Sequence, residues 1–200
     1  MSAPPDVYGR RIAAGTELHR IHSTLAGSAA FFDADRVRGR FNLVGVTDRG
    51  TCYLALDPLG AYVETLGRIL TRSISDIARR RHTVVTLERD LQLFDLTRSE
   101  ARSAYRSDGL DLTATIGAGD SYDTPQRLAR LTHDDGYDGI VYTARHDPGH
   151  RYESVALFGP AGPHESDVVF ASAKTSEIAA DLILTGTRTF GIVILPDPPT

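Results

Sequence analysis

The 200-residue sequence has one cysteine, Cys52, one methionine and no tryptophan. A lone cysteine excludes an intrachain disulfide and a cysteine-rich zinc site. No apolar run approaches the ~18 residues that a membrane-spanning helix needs. Neither charge sign dominates: 22 Lys and Arg face 26 Asp and Glu, for a net charge of −4. The basic face that usually recruits nucleic acid is therefore not expected. Repeats and low-complexity tracts are lacking too. Met1–Arg11 carries Pro4, Pro5 and Asp6 where a secretion signal would have an apolar core. With 41% hydrophobic and 24% charged residues, the chain has the composition of a folded globular protein rather than a disordered one. The expectation is one cytoplasmic domain over residues 1–200, with a loose lead-in over 1–15 and a frayed tail over 197–200.

Between these ends the hydrophobic period changes repeatedly. Glu17–Thr24, Thr51–Leu56, Thr83–Leu87, Leu91–Asp95, Gly139–Thr143, Tyr152–Gly159 and Phe190–Leu195 read as strands. Asp57-Pro58 combines an N-cap with a proline at the first helical position, and predicts a helix to about Arg72. Thr97-Arg98-Ser99-Glu100 has capping-box spacing and predicts a helix to about Arg106. Asp123-Thr124-Pro125 opens a third helix that stops at Gly136, and Ser176–Leu184 a fourth. Residues 107–121, rich in Gly, Asp, Ser and Thr, read as a long loop. Strand pairs mixed with helical connections predict an α+β fold with a split mixed sheet rather than a regular βαβ array.

Generic catalytic motifs fail. Gly117-Ala118-Gly119 lacks the third glycine of a dinucleotide fingerprint, and there is no phosphate-binding GxxxxGK[ST] loop and no GxSxG. His146 and His150 are four apart, but Pro148 and Gly149 forbid the helix that an i, i+4 metal pair requires. His19 and His22 fall on opposite faces of a strand, so no metal site is predicted. Cys52 reads as a small buried thiol. Arg79-Arg80-Arg81-His82 reads as a solvated helix end, where cations suit the dipole.

An ordered set of segments carries more information: His19-Arg20, Gly39-Arg40-Phe41-Asn42, Tyr53-Leu54-Ala55, Ala61-Tyr62-Val63-Glu64-Thr65, and Gly136-Tyr137-Asp138-Gly139-Ile140-Val141-Tyr142-Thr143-Ala144-Arg145 followed by Val155-Ala156-Leu157-Phe158. Together they resemble the RES domain family, toxins of bacterial Xre–RES toxin–antitoxin pairs and related NAD-consuming proteins. The resemblance implies a twisted split mixed β-sheet with flanking helices, similar to ADP-ribosyltransferase toxins. It implies cleavage of NAD, as substrate and not cofactor, at the nicotinamide–ribose bond, with ADP-ribose passing to water (NAD glycohydrolase) or inorganic phosphate (NAD phosphorylase). An Xre-like antitoxin protein and a homodimer are implied as partners. Protein mono-ADP-ribosylation and a catalytically inactive binding module stay open as alternatives.

Residue by residue, Arg20 and Glu64 match the family arginine and glutamate, and Thr143 stands where the family serine is expected. Arg40 and Tyr53 match positions lining the NAD pocket. The residue types suit the chemistry. Guanidinium forks match pyrophosphate oxygens and do not titrate away. A fixed carboxylate stabilises the oxocarbenium character that develops as nicotinamide departs. Tyr53 offers a flat stacking face, Ala61 leaves room one turn before Glu64, and the Thr143 hydroxyl can donate to a carboxamide or phosphate.

Overall fold

A computed structural model of the chain describes residues 6–24, 30–35, 39–110, 122–163 and 169–197. Strands β1 (Gly9–Ile12), β2 (Glu17–Ser23), β4 (Arg49–Ala55), β6 (Arg80–Leu87), β7 (Leu91–Asp95), β8 (Gly139–Thr143), β9 (Glu153–Pro160) and β11 (Phe170–Ser176) form one sheet. Its order is β1-β7-β8-β9-β4-β2-β6-β11, parallel only between β7 and β8. Two small sheets pair β3 (Phe31–Phe32) with β10 (Gly162–Pro163), and β5 (Thr71–Ser73) in parallel with β12 (Val193–Leu195). The helices are α1 (Pro58–Leu66), α2 (Ile74–Ala78), α3 (Asp123–Asp134) and α4 (Ala180–Phe190). Among the described residues none is long and apolar enough to cross a membrane.

The central strands are buried on both faces, which explains their nearly unbroken apolar runs. Leu18, Leu54, Leu93, Val141, Val155 and Leu157 pack on one face. On the other, Phe94, Ile140, Ala156 and Phe158 lie against Leu128 and Ala129 of α3. A third cluster joins Ile21 and Ala55 to Tyr62, Val63 and Leu66 of α1, and to Phe190 and Ile192 at the end of α4.

The sheet has one weak seam. From β8 to β4 and from β2 to β11 the strands pair over long registers, for example Arg49–Ala55 with Ser154–Pro160. Between β2 and β4 a single registered pair remains, His19 with Ala55. The sheet thus divides into two wings, and α1 crosses the division. Asp57 caps α1 by accepting from the Leu59 amide at 2.7 Å, with Pro58 at the first helical position as the sequence predicts. Thr65 then ties the helix to β2 by donating to the Ile21 carbonyl at 3.0 Å.

Several sequence expectations change. Helix α1 ends at Leu66 and not near Arg72, because Arg72 turns back to donate to the Leu66 carbonyl while Thr71–Ser73 pairs with β12. The Thr97 capping box does not form. Thr97 donates both its amide and its hydroxyl to Asp95, and two short 3₁₀ turns, Ala101–Ser103 and Arg106–Asp108, replace the helix. Phe190 closes α4 instead of opening a strand, so only Val193–Leu195 is extended. Ser176 ends β11, a strand the sequence pattern did not disclose, and the fourth helix begins at Ala180. The lead-in contains β1, paired with β7. Arg80–His82 open β6 rather than ending a helix. Asp197 accepts from the Ser75 amide, and the rest of the expected tail lies outside the described residues, as does 111–121 of the expected loop.

Tyr62 is fully buried, and its hydroxyl has no partner among the described residues. Its ring lies so close to Gly186 of α4 that a Cβ there would come within 2.4 Å. Gly186→Ala should therefore destabilise the protein by about 1–3 kcal/mol through overpacking, despite alanine's better helix propensity. Tyr62→Phe should be neutral or stabilising by roughly 1 kcal/mol, since it removes an unpaired buried hydroxyl. Urea unfolding of both variants measures the two signs.

Candidate functional site

A cavity of about 330 Å³ opens at the seam between the two wings. Arg20 enters from β2, Tyr53 from β4 and Glu64 from α1, while Arg40 comes from the loop after Gly39. Four of the five residues singled out from the sequence thus meet in one place. Thr143 is not among the described lining residues: it pairs with Glu153 on β8, and its neighbour Tyr142 lines the cavity instead, with Arg145 and His146 from the turn that follows. Strand alternation explains the exchange, because successive side chains leave β8 on opposite faces. Sequence reading singled out neither Tyr142 nor His146 as a site residue. Arg145 and Tyr142 lay within a recognised segment, whereas His146 had no spacing signal.

Tyr53 organises the loop that carries Arg40. Its hydroxyl accepts from the Phe41 amide at 2.8 Å and donates to Asn42 Oδ1 at 2.8 Å. Asn42 in turn donates to the Asp35 carbonyl at 2.7 Å, and Gln126 of α3 donates to the Gly39 carbonyl at 3.0 Å. Gly39 is required by close approach, since a Cβ there would fall 1.9 Å from Asn42 Oδ1 and 2.5 Å from the Tyr53 oxygen. Burial pushes the Tyr53 phenol well above its ordinary pKa, an effect the Tyr142 ring reinforces and the Phe41 amide opposes. The hydroxyl is thus engaged in holding the loop rather than waiting for a ligand.

Above this lock, the Arg40 guanidinium lies 4.8 Å from the ring centroids of both Phe41 and Tyr142, which adjoin each other at 5.0 Å, a double cation–π contact that fixes a long cationic side chain. Arg20 donates to the buried Cys52 thiol at 3.6 Å. Burial pushes that thiol up, with Arg20 opposing, so Cys52 is the inert core group the sequence suggests. His19 Nδ1 lies 3.2 Å from His82 Nε2 with the rings stacked, and burial lowers the pKa of both. Burial, then Arg145, Arg40 and Arg68, lowers that of His146.

Among the described residues Glu64 is the one carboxylate lining this cationic cavity. One of its oxygens accepts from the Arg145 amide. Burial raises its pKa above the ordinary glutamate value, while the Arg145 amide and the charges of Arg40 and Arg145 pull the other way. The result is an oriented carboxylate poised to exchange a proton, facing guanidinium groups suited to an anionic ligand. Among the described residues there is no cluster of three or more His, Cys, Asp or Glu that could hold a metal.

The model of the RES domain matches residues 17–180. No curated protein sequence matches the chain. Among solved structures, a chain of the M. tuberculosis MbcT–MbcA toxin–antitoxin complex is similar in fold, with a TM-score of 0.57 and 15% identity over 93% of this chain and 94% of that one.

Two outcomes follow from the geometry. Tyr53→Phe leaves the Phe41 amide and Asn42 Oδ1 unpaired and should cost about 1–3 kcal/mol of stability in denaturant unfolding. Glu64→Gln should stabilise the unliganded protein near neutral pH. The raised Glu64 pKa favours folding only while the group is protonated, and that contribution is lost as pH rises through the folded-state value. Thermal unfolding across pH should show the gain shrinking to nothing below about pH 4.

Proposed function

The chain belongs to the RES domain family, and on that premise we propose that it cleaves NAD at the nicotinamide–ribose bond and passes ADP-ribose to water or inorganic phosphate. The observation that carries this reading is the meeting of Arg20, Arg40 and Arg145 with an oriented carboxylate, Glu64, around one cavity at the sheet seam. NAD presents that complement: a dianionic pyrophosphate for the guanidinium groups, and a ribose carbon that gains positive charge as nicotinamide leaves.

In this mechanism Arg40, held against Phe41 and Tyr142, and Arg145 clamp the pyrophosphate, while Arg20 orients it or the adjoining ribose. The carbon–nitrogen bond breaks with its electron pair going to neutral nicotinamide. The Glu64 carboxylate faces the cationic sugar, where it is worth more in the transition state than in the ground state. An oxygen of water or phosphate closes on the same carbon, and its proton passes to Glu64. The Glu64 pKa, raised by burial, makes the carboxylate a stronger base for that step than an exposed glutamate. Tyr53 acts through Arg40, by fixing its loop, and Thr143 acts through the strand that positions Tyr142 and Arg145.

A toxin role goes with this reading, and with it a protein antitoxin that covers the cavity. The family membership and the fold shared with a chain of a toxin–antitoxin complex support both. Protein mono-ADP-ribosylation would use the same pocket with another acceptor.

The test is a mass-spectrometric time course of purified protein with NAD, with and without phosphate. Nicotinamide should appear together with ADP-ribose or its phosphorylated form, and the second product identifies the acceptor. Glu64→Gln should lower kcat roughly 100-fold or more, as loss of one charge-stabilising group does in comparable sites. Thr143→Ala should retain most activity. The acid limb of the pH profile should lie above the ordinary glutamate pKa. Nicotinamide release that is unchanged in Glu64→Gln would sink the proposal.

A further inference from the structure

A second cavity of about 330 Å³ lies apart from the first, where the two-stranded β5–β12 sheet meets α2, α4 and the start of β6. Five isoleucines line it: Ile74, Ile77, Ile178, Ile183 and Ile194. Branched at Cβ, they are stiff, so the groove is preformed. It is also open, with Ile74 56% exposed. The segments bordering it carry most of the other large apolar side chains on the described surface: Ile69, Leu70, Leu184, Val193 and Leu195 are each about half exposed. Val193 and Leu195 leave β12 on the face opposite Ile194, so the groove itself is the isoleucine surface, and an open apolar groove with a polar rim marks an interaction site.

The rim is basic. Arg80 and Arg81 line the groove, with Arg72 and Arg79 beside them. None of the four makes an ion pair among the described residues. Their donors go to backbone carbonyls and a serine: Arg72 to Leu66, Arg81 to Ala78 and Arg80, and Arg79 to Ser75. The Arg80 Nε is shielded from solvent and has no acceptor among the described residues. Burial and the neighbouring Arg72 both disfavour the Arg80 charge, with Asp76 opposing. Among the described residues Asp76, Glu177 and Asp197 are the acidic groups nearby, Asp197 lying on the Ser75 amide and beside Arg79, so against the four arginines the rim keeps a small excess of positive charge in a chain whose net charge is −4.

We propose that this groove docks an acidic amphipathic helix of a partner protein, its apolar stripe on the isoleucines and its carboxylates on the arginine rim. Helix-in-groove recognition uses apolar anchors at i, i+3, i+4 and i+7, and the five isoleucines suit such a stripe. A second copy of this chain fits less well. A two-fold contact through the same patch would bring the arginine clusters of both copies together. The proposal is independent of the chemistry in the first cavity.

The experiment titrates the full-length protein into two synthetic helical peptides, read by fluorescence anisotropy. Both carry leucines at the anchor positions; one has glutamates between them, the other lysines. The acidic peptide should bind saturably and weaken as salt rises, while the basic one should not bind. Ile74→Glu, at an exposed position that folding does not need, should raise Kd roughly tenfold or more. Arg81→Glu should weaken the acidic peptide and favour the basic one, with circular dichroism confirming that both variants fold. Equal binding of the two peptides, or binding of neither, overturns the proposal. So does sedimentation showing a dimer of the protein alone that Ile74→Glu dissolves.

Discussion

The structure depends on a sheet that nearly comes apart. Adjacent strands normally exchange hydrogen bonds along their whole overlap, and β2 and β4 retain one registered pair, His19 with Ala55. Each wing must therefore be stable through its other partners: β4 through its seven-residue register with β9, and β2 through the same length against β6. The gap left at the seam is roofed by α1, anchored by the Asp57 cap and by Thr65 on the Ile21 carbonyl. A cavity in the middle of a sheet, reached by side chains from both wings and a helix, is the consequence.

What fills that cavity is costly for the unliganded fold. Several guanidinium groups converge on a carboxylate, Glu64, whose pKa burial raises. Packing offsets part of the cost: two adjoining aromatic rings contact Arg40, and Tyr53 ties its loop through two hydrogen bonds. Convergent like charges and a half-buried acid are what a site for an anionic ligand requires and what a stability-optimised core avoids. On the proposed function, an anionic ligand would complete the electrostatics that the protein alone leaves unbalanced.

Helix α1 also links the two surfaces of interest. One side of it presents Glu64 to the seam, and its buried residues Tyr62, Val63 and Leu66 pack in the cluster that Ile178, Phe190 and Ile192 share. The isoleucine groove lies at the outer edge of that cluster, with Ile77 and Ile178 contributing to both. The candidate site and the proposed docking groove thus share one small core and make different demands on it: charge convergence in the first, rigid branched side chains in the second.

How much of this was legible in sequence depended on whether the physics was local. The Asp57-Pro58 start of α1, the Gly136 stop and the apolar runs of β8 and β9 are encoded within a few residues, and each appeared where expected. So did the grouping of Arg20, Arg40, Tyr53 and Glu64, which the resemblance to the RES domain supplied. Elements whose existence rests on a distant partner were missed. β1, β5 and β11 are short or polar strands that exist because β7, β12 and β6 pair with them, and the Thr97 capping box lost its hydroxyl to Asp95. The sequence by itself determined the fold class, the strong helix start and the identity of most charged groups in the cavity, because caps, periodicity and residue chemistry act over short spans. Only the tertiary structure decided that Tyr142 and not Thr143 faces the cavity, that Tyr53 is a lock, and that five isoleucines from two distant stretches, 74–77 and 178–194, make one groove. Strand facing and convergence depend on register between segments far apart in the chain, which no local pattern records.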